Sequence, residues 1–132
     1  MSTQAHLTDL QLAIVRILWE RGECTVLEVQ EALVPERQLA QTTVATLLSR
    51  LEKRGVVAHR SEGRLFIYRA AVTEGQVRRT MVAELTELLF EGRPAALISH
   101  LLDNKDIRAG DLDEVKRLIA EAEARGDAAA TR

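Results

Sequence analysis

At 132 residues the chain has room for one ordinary domain or two very small ones. A composition 46% apolar, 29% charged and only 3% aromatic argues for a helix-rich protein with a genuine core, against both a disordered polyelectrolyte and an aromatic β-sandwich. The lone Cys24 excludes an internal disulfide framework and any cysteine-rich metal or iron–sulfur site. No apolar run approaches the roughly 18 residues of a membrane span, and Met1 to His6 lack an apolar export segment. A cytoplasmic location is therefore expected. The net charge of −2 conceals an asymmetry: seven basic residues stand against two acidic ones from Arg37 to Arg69, and nine against twelve from Val72 to Arg132. A basic middle followed by an acidic C-terminal part suggests that one segment meets a polyanion while the other does something else.

Four segments of the form Thr/Asp-x-x-Glu/Gln stand where apolar periodicity begins, and each reads as a helix start. Thr8 with Gln11 opens a run whose stripe is Leu10, Ala13, Ile14, Ile17 and Leu18, stopping at Arg21-Gly22. Thr25 with Glu28 opens a second, Val26, Val29 and Leu33, which ends at Pro35. A third run, Val44, Leu47, Leu48 and Leu51, ends at Lys53-Arg54-Gly55, where glycine after basic residues is a helix stop. Each stripe has helical spacing, so each helix has one face to bury.

Residues Val56 to Ala70 break that period. Val56-Val57 open one extended segment and Leu65-Phe66-Ile67-Tyr68 form another, with Ser61-Glu62-Gly63-Arg64 supplying the turn. Thr73 with Gln76 then returns the chain to helix, with a broad stripe of Val77, Met81, Val82, Leu85, Leu88 and Leu89 before Gly92. Pro94 suits the first turn of a helix carrying Leu97, Ile98, Leu101 and Leu102. Asp111 with Glu114 opens the last, carrying Leu112, Val115, Leu118, Ile119 and Ala122. Three helices from about 60 residues bury such faces poorly alone. Self-association is expected, through Met81, Leu85, Leu88, Leu97, Leu101, Leu118 and Ile119.

Helix, helix, helix, hairpin, with the third helix and the hairpin both basic, is the order of a winged helix-turn-helix, in which the third helix enters the major groove. The expected fold is mainly α: a winged-helix domain over 1–72 with a small β-hairpin wing, a helical dimerisation domain over 73–126, and a disordered tail over 127–132. With Val44 at the centre of the buried face, Thr42, Ala45, Thr46, Ser49 and Lys53 point away and Thr43 and Arg50 flank them. A solvated face would carry Glu, Lys, Gln or Arg, which exceed threonine in helix propensity by some tenths of a kcal/mol each. Small hydroxyl residues instead let a helix approach base edges and phosphates closely. The DNA-binding candidates are Gln41, Thr42, Thr43, Ala45, Thr46, Ser49, Arg50, Lys53 and Arg54, with Arg60 and Arg64 of the wing touching phosphate, opposed there only by Glu62. Packing of the same face on another protein is the competing reading.

The stretch Leu39-Ala40-Gln41-Thr42-Thr43-Val44-Ala45-Thr46-Leu47-Leu48-Ser49-Arg50-Leu51-Glu52-Lys53-Arg54-Gly55 resembles the recognition-helix segment of the penicillinase-repressor family. That family holds the β-lactamase and methicillin-resistance repressors and is related to copper-responsive repressors. Leu7-Thr8-Asp9-Leu10, Ile17-Leu18-Trp19 and Phe66-Ile67-Tyr68 match its pattern as well. The resemblance spans nearly the whole chain and weakens after Thr73. It implies a homodimeric transcriptional repressor binding an inverted-repeat operator in double-stranded DNA, without a cofactor, linked to antibiotic resistance. It also implies that Thr42, Thr43 and Thr46 fall where the family contacts bases and backbone. Ala45 stands where some members have a longer polar or basic residue. Classical members are cleaved at an Asn-Phe bond when a membrane sensor metalloprotease signals; the corresponding bond here is His100-Leu101, a departure from that pattern. The cysteine-rich metal hook of the copper-responsive relatives is replaced by the tail from Ala122 to Arg132.

The remaining conspicuous residues carry less. Cys24, just ahead of a helix cap, reads as a small buried apolar residue before it reads as a redox switch. His6, His59 and His100 are too scattered for a metal site, and Trp19 belongs to the N-terminal core. Asp103, Asp106, Asp111, Asp113 and Glu114 lack the glycine-containing spacing of a calcium loop. No phosphate-cradling loop or nucleophile elbow occurs, so the chain is not expected to be an enzyme. Two other readings fit the sequence: a winged-helix module that docks proteins, and a regulator sensing a small ligand in its C-terminal domain.

Overall fold

Thr8 adopts an extended backbone ahead of the first helix, with its hydroxyl accepting from Gln11 N (3.3 Å) while its own N–H donates to Gln11 Oε1 (3.0 Å). The same reciprocal box recurs at Thr25 with Glu28 and at Thr73 with Gln76. Each box satisfies two backbone donors that a helix start leaves open. These boxes open α1 (Asp9–Arg21), α2 (Val26–Leu33) and α4 (Glu74–Phe90). Between the last two lie α3 (Gln41–Lys53) and strands β2 (Val57–Glu62) and β3 (Leu65–Ala70). The computed structural model describes residues 6–103 and 107–130, so Asp106 of the acidic cluster and 131–132 of the expected tail lie outside the described residues.

The sheet has one strand more than the sequence suggests. Glu23–Thr25 forms a short β1, and the antiparallel order is β1-β3-β2, with Cys24 opposite Tyr68 and His59 opposite Tyr68 on the other side. Three residues are too few for an alternating pattern to show, and the last of them doubles as the cap of α2. In the β2–β3 turn only Gly63 takes a positive φ (61°), with Arg64 following at negative φ, the arrangement of a two-residue hairpin led by glycine.

The chain divides into two compact units, one ending at Leu85 and the other beginning at Thr86. In the first, Ile14, Val15, Leu18, Val29, Val44, Leu48, Leu51 and Val56 are buried, and Trp19 and Met81 pack against them. The sequence division at Val72–Thr73 coincides with the start of α4, but the first unit continues for three turns, because Val77 is buried and Met81 touches the same core. Met81, expected at a dimer surface, is thus already packed within its own chain.

The second unit comprises the end of α4, α5 (Pro94–Asp103) and α6 (Ala109–Ala130). The last helix begins earlier than the Asp111 signature suggests. Asp111 lies in its first turn and accepts from Arg108 N (3.2 Å), so it caps from within the helix rather than ahead of it. The helix also runs through 127–130, where a disordered tail was expected. Among the described residues, Thr86 alone of this unit is buried. Leu88 is 81% exposed, and Leu89, Ile98, Leu101, Leu102, Leu118 and Ile119 are all exposed. No helix among the described residues is long and apolar enough to cross a membrane.

A fully buried leucine in a close-packed core loses both transfer energy and contacts when truncated. Leu48→Ala is expected to lower the stability of the first unit by about 2–5 kcal/mol, measurable by urea unfolding followed through Trp19 fluorescence.

Candidate nucleic-acid interface

The rotation of α3 about its axis follows from its apolar stripe: Val44, Leu48 and Leu51 are fully buried. Thr42, Thr43, Thr46, Ser49, Arg50 and Lys53 consequently face outward and are exposed, whereas Ala45 is half-buried. This outer surface has two sides. Gln41, Ala45 and Ser49, spaced four apart, form one wall of a groove of ≈ 650 Å³ whose other wall is the wing, with Arg64, Leu65, Phe66 and Tyr68. Thr42, Thr46, Arg50 and Lys53 form the free ridge beyond it.

Among the described residues, the side-chain polar atoms of that ridge are largely uncommitted. Thr46 is the exception: its Oγ1 donates to Thr42 O at 3.0 Å, a back-bond typical of hydroxyl residues in helices. With its proton so engaged, Thr46 presents a methyl group and an acceptor oxygen, suited to a thymine methyl or to an amino group of adenine or cytosine. Ala40 precedes α3 without a side-chain cap, unlike the threonines ahead of α1, α2 and α4. Among the described residues, no side chain caps the N–H groups of Gln41, Thr42 and Thr43, and the positive end of the helix dipole lies behind them, a setting favourable to a phosphate oxygen.

The candidate cations divide into free and engaged ones. Arg50, Lys53 and Arg64 form no ion pair among the described residues. Arg54 turns toward the N-terminal segment, where Nη1 donates to Gln11 Oε1 (3.2 Å) and Nη2 to the His6 carbonyl. It thereby ties the end of α3 to the capping box of α1. Arg60 donates through Nε and Nη2 to the two carboxylate oxygens of Glu23 (3.0 and 3.1 Å) and through Nη1 to Glu62 (2.8 Å). Glu62 is therefore not its only opponent: β1 places a second carboxylate across the sheet. The Arg60 guanidinium holds the Glu23 carboxyl below its ordinary range, and both carboxylates push Arg60 further toward its charged form.

Beneath the groove, His59 Nδ1 donates to the Glu52 carboxylate (2.7 Å to Oε1, 2.8 Å to Oε2) while its ring stacks on Phe66 with centroids 4.0 Å apart. This links the last turn of α3 to both wing strands, and sequence reasoning, which weighed His59 only as a metal ligand, did not find it. Cys24 is buried, and burial raises its thiol above the ordinary value, the opposite of what a reactive thiolate needs. No group of three or more His, Cys, Asp or Glu residues among the described ones could hold a metal ion.

In the second unit, Leu85 apart, the expected dimer residues Leu88, Leu101, Leu118 and Ile119 are exposed and Leu97 is half-buried. His100 and Leu101 lie in the last turn of α5, with the His100 ring 5.7 Å from that of Phe90. A cut there would require α5 to unwind locally.

The family described as Penicillinase repressor matches residues 7–121. The transcriptional regulator BlaI of Mycobacterium tuberculosis is 35% identical over 128 residues, covering 94% of this chain and 90% of that protein. Among solved structures, BlaI of Bacillus licheniformis, in monomeric form in complex with the blaP half-operator, is 28% identical and aligns over 54% of this chain and 87% of its own, with a TM-score of 0.47. A complex structure of hsRosR aligns over 90% of this chain and 94% of its own at 18% identity and a TM-score of 0.52, a likeness of fold.

The Glu23–Arg60 pair sets a pH expectation. A depressed carboxyl contributes above its unfolded value and loses that contribution as pH falls through the folded one, so the clamp should open only in acid. An NMR titration should place the Glu23 midpoint below that of an unpaired glutamate, and Arg60→Ala should raise it. An unchanged midpoint in that variant would disprove the pairing.

Proposed function

Because the chain belongs to the penicillinase-repressor family, we propose that it is a homodimeric transcriptional repressor that reads an inverted-repeat operator with α3 and steadies itself on phosphate with the wing. The observation that carries this reading is the free ridge of α3: Thr42 and Thr46 exposed beside Arg50 and Lys53, which form no ion pair among the described residues, on a helix held by its opposite face. Thr42, Thr43 and Thr46 supply slim polar contacts to base edges and the nearest phosphates, with Gln41, Ala45 and Ser49 along the side that faces the wing. Arg50, Lys53 and Arg64 supply the non-specific, salt-sensitive part of the affinity. Arg54 and Arg60 support the scaffold that presents them.

Dimerisation is supported by the exposed aliphatic face of the second unit. Its Leu88, Leu101, Leu118 and Ile119, with Leu85 at the end of the first unit, contribute on the order of 1.5–3 kcal/mol each when buried, and exposed as they are in a single chain they favour association with a second copy. A symmetric dimer presents two copies of α3 to half-sites about 34–36 Å, or a multiple of that, apart. Repression then ends when the two copies separate, whether the inducing signal is proteolytic, as with a membrane sensor metalloprotease, or a ligand.

Footprinting on genomic fragments tests this reading. Wild-type protein should protect two half-sites, and binding should weaken steeply with salt, at a log–log slope of about −5 if six cations of a dimer reach phosphates. Leu101→Asp leaves α3 untouched but should lose about 10²-fold or more in affinity through the lost pairing of half-sites. Full protection by Leu101→Asp would disprove the dimer, and salt-independent binding would disprove DNA reading in favour of protein docking.

A further inference from the structure

The first unit carries a second concavity that shares no lining residue with the groove beside the wing. It lies between α1 and the first turns of α4, with a volume of ≈ 190 Å³. Leu12 and Trp19 from α1 and Val77 and Met81 from α4 line it with apolar surface. Trp19 spends its only polar atom elsewhere, donating Nε1–H to Val72 O at 2.9 Å, which fixes the indole and leaves the ring as an apolar wall. A volume somewhat above the ~150 Å³ that accommodates a benzene molecule in a protein core suits a single six-membered ring or a short branched chain.

The rim supplies the charge. Arg16 lines the cavity, is exposed, and forms no hydrogen bond or ion pair among the described residues. Arg78, also on the rim, is tied to Glu74 at 3.2 Å, so these three groups carry a net charge of +1, and Arg16 forms no ion pair among the described residues with Glu20 or Glu36, the acids beside it in the neighbouring concavity. A free guanidinium above an apolar floor matches an anion that is apolar over the rest of its surface, and its planar fork fits a carboxylate bidentately. We propose that the α1–α4 groove binds a small monocarboxylate carrying one apolar ring or a short branched chain, seated against Trp19 with its carboxylate on Arg16. The α4 wall is the stretch through which the chain leaves the first unit, so such a ligand would touch the segment joining DNA reading to assembly. That consequence rests on the proposed dimer; the binding itself does not.

Trp19 is the only tryptophan of the chain, so its fluorescence reports occupancy of this groove directly. The probe is cyclohexanecarboxylate, which does not absorb at the excitation wavelength, titrated onto the full chain. The expected result is a saturable change in Trp19 emission, with binding at least about tenfold weaker for Arg16→Gln and for the neutral cyclohexanemethanol, since a hydrogen bond to a charged group is at stake. Arg16 is exposed and forms no hydrogen bond or ion pair among the described residues, so Arg16→Gln should keep the wild-type circular dichroism. Absence of saturation, as would follow if a second copy of the chain covered the groove, overturns the proposal, and so does equal affinity for the acid, the alcohol and the variant.

Discussion

Burial of Val44, Leu48 and Leu51 sets the rotation of α3, and the composition of the protein's outward face depends on that rotation. Turning the helix by one residue would bring these three side chains out of the core, at about 1.5–3 kcal/mol each, and would carry Thr42 and Thr46 toward it. The core thus does more than stabilise the first unit: it decides that hydroxyls and methyls, not leucines, form the exposed ridge. The loop before α3 is held to the same frame, since Gln30 Nε2 donates to the Leu39 carbonyl at 2.8 Å. Arg54 secures the other end of the helix to Gln11.

A second constraint is the division of labour among cations. The basic middle segment looks uniform as a charge count, yet two of its arginines are committed to carboxylate, amide or carbonyl partners far away in sequence. Those bonds hold the wing to β1 and α3 to the N-terminal segment. Among the described residues, the cations on α3 and at the wing turn without such partners are Arg50, Lys53 and Arg64, and on the proposed reading these exchange counterions for phosphates at no internal cost. Glu52, the acid nearest the ridge, is engaged by His59, whose stacking on Phe66 also fixes the inner face of the wing.

Much of this was legible in the sequence because it is local. Three capping boxes announce α1, α2 and α4 through contacts three residues apart, and the third helix shows both its buried stripe and its unusual outer face in thirteen residues. The matched family, Penicillinase repressor, agrees with the resemblance carried by Leu39 to Gly55. What escaped the sequence is tertiary. β1 exists only because β3 lies beside it, and Glu23 opposes Arg60 only through that pairing. The apolar stripe of α4 reads as one face but divides between two purposes, Val77 and Met81 joining the first core while Leu88 and Leu89 stay exposed. Asp111 was legible as a capping residue, but a carboxylate three positions inside a helix can reach back to the start as readily as one placed ahead of it can reach forward.

The central claim is that α3 separates base reading from phosphate binding on its exposed ridge. It is tested most directly by measuring affinities of Thr46→Ala and Arg50→Ala for an operator duplex and for a random duplex across a range of salt. The account predicts that Arg50→Ala weakens binding to both duplexes alike and reduces the salt slope by about one ion. Thr46→Ala should keep the slope and narrow the gap between operator and random DNA. Identical behaviour of the two variants would contradict the assignment of these faces.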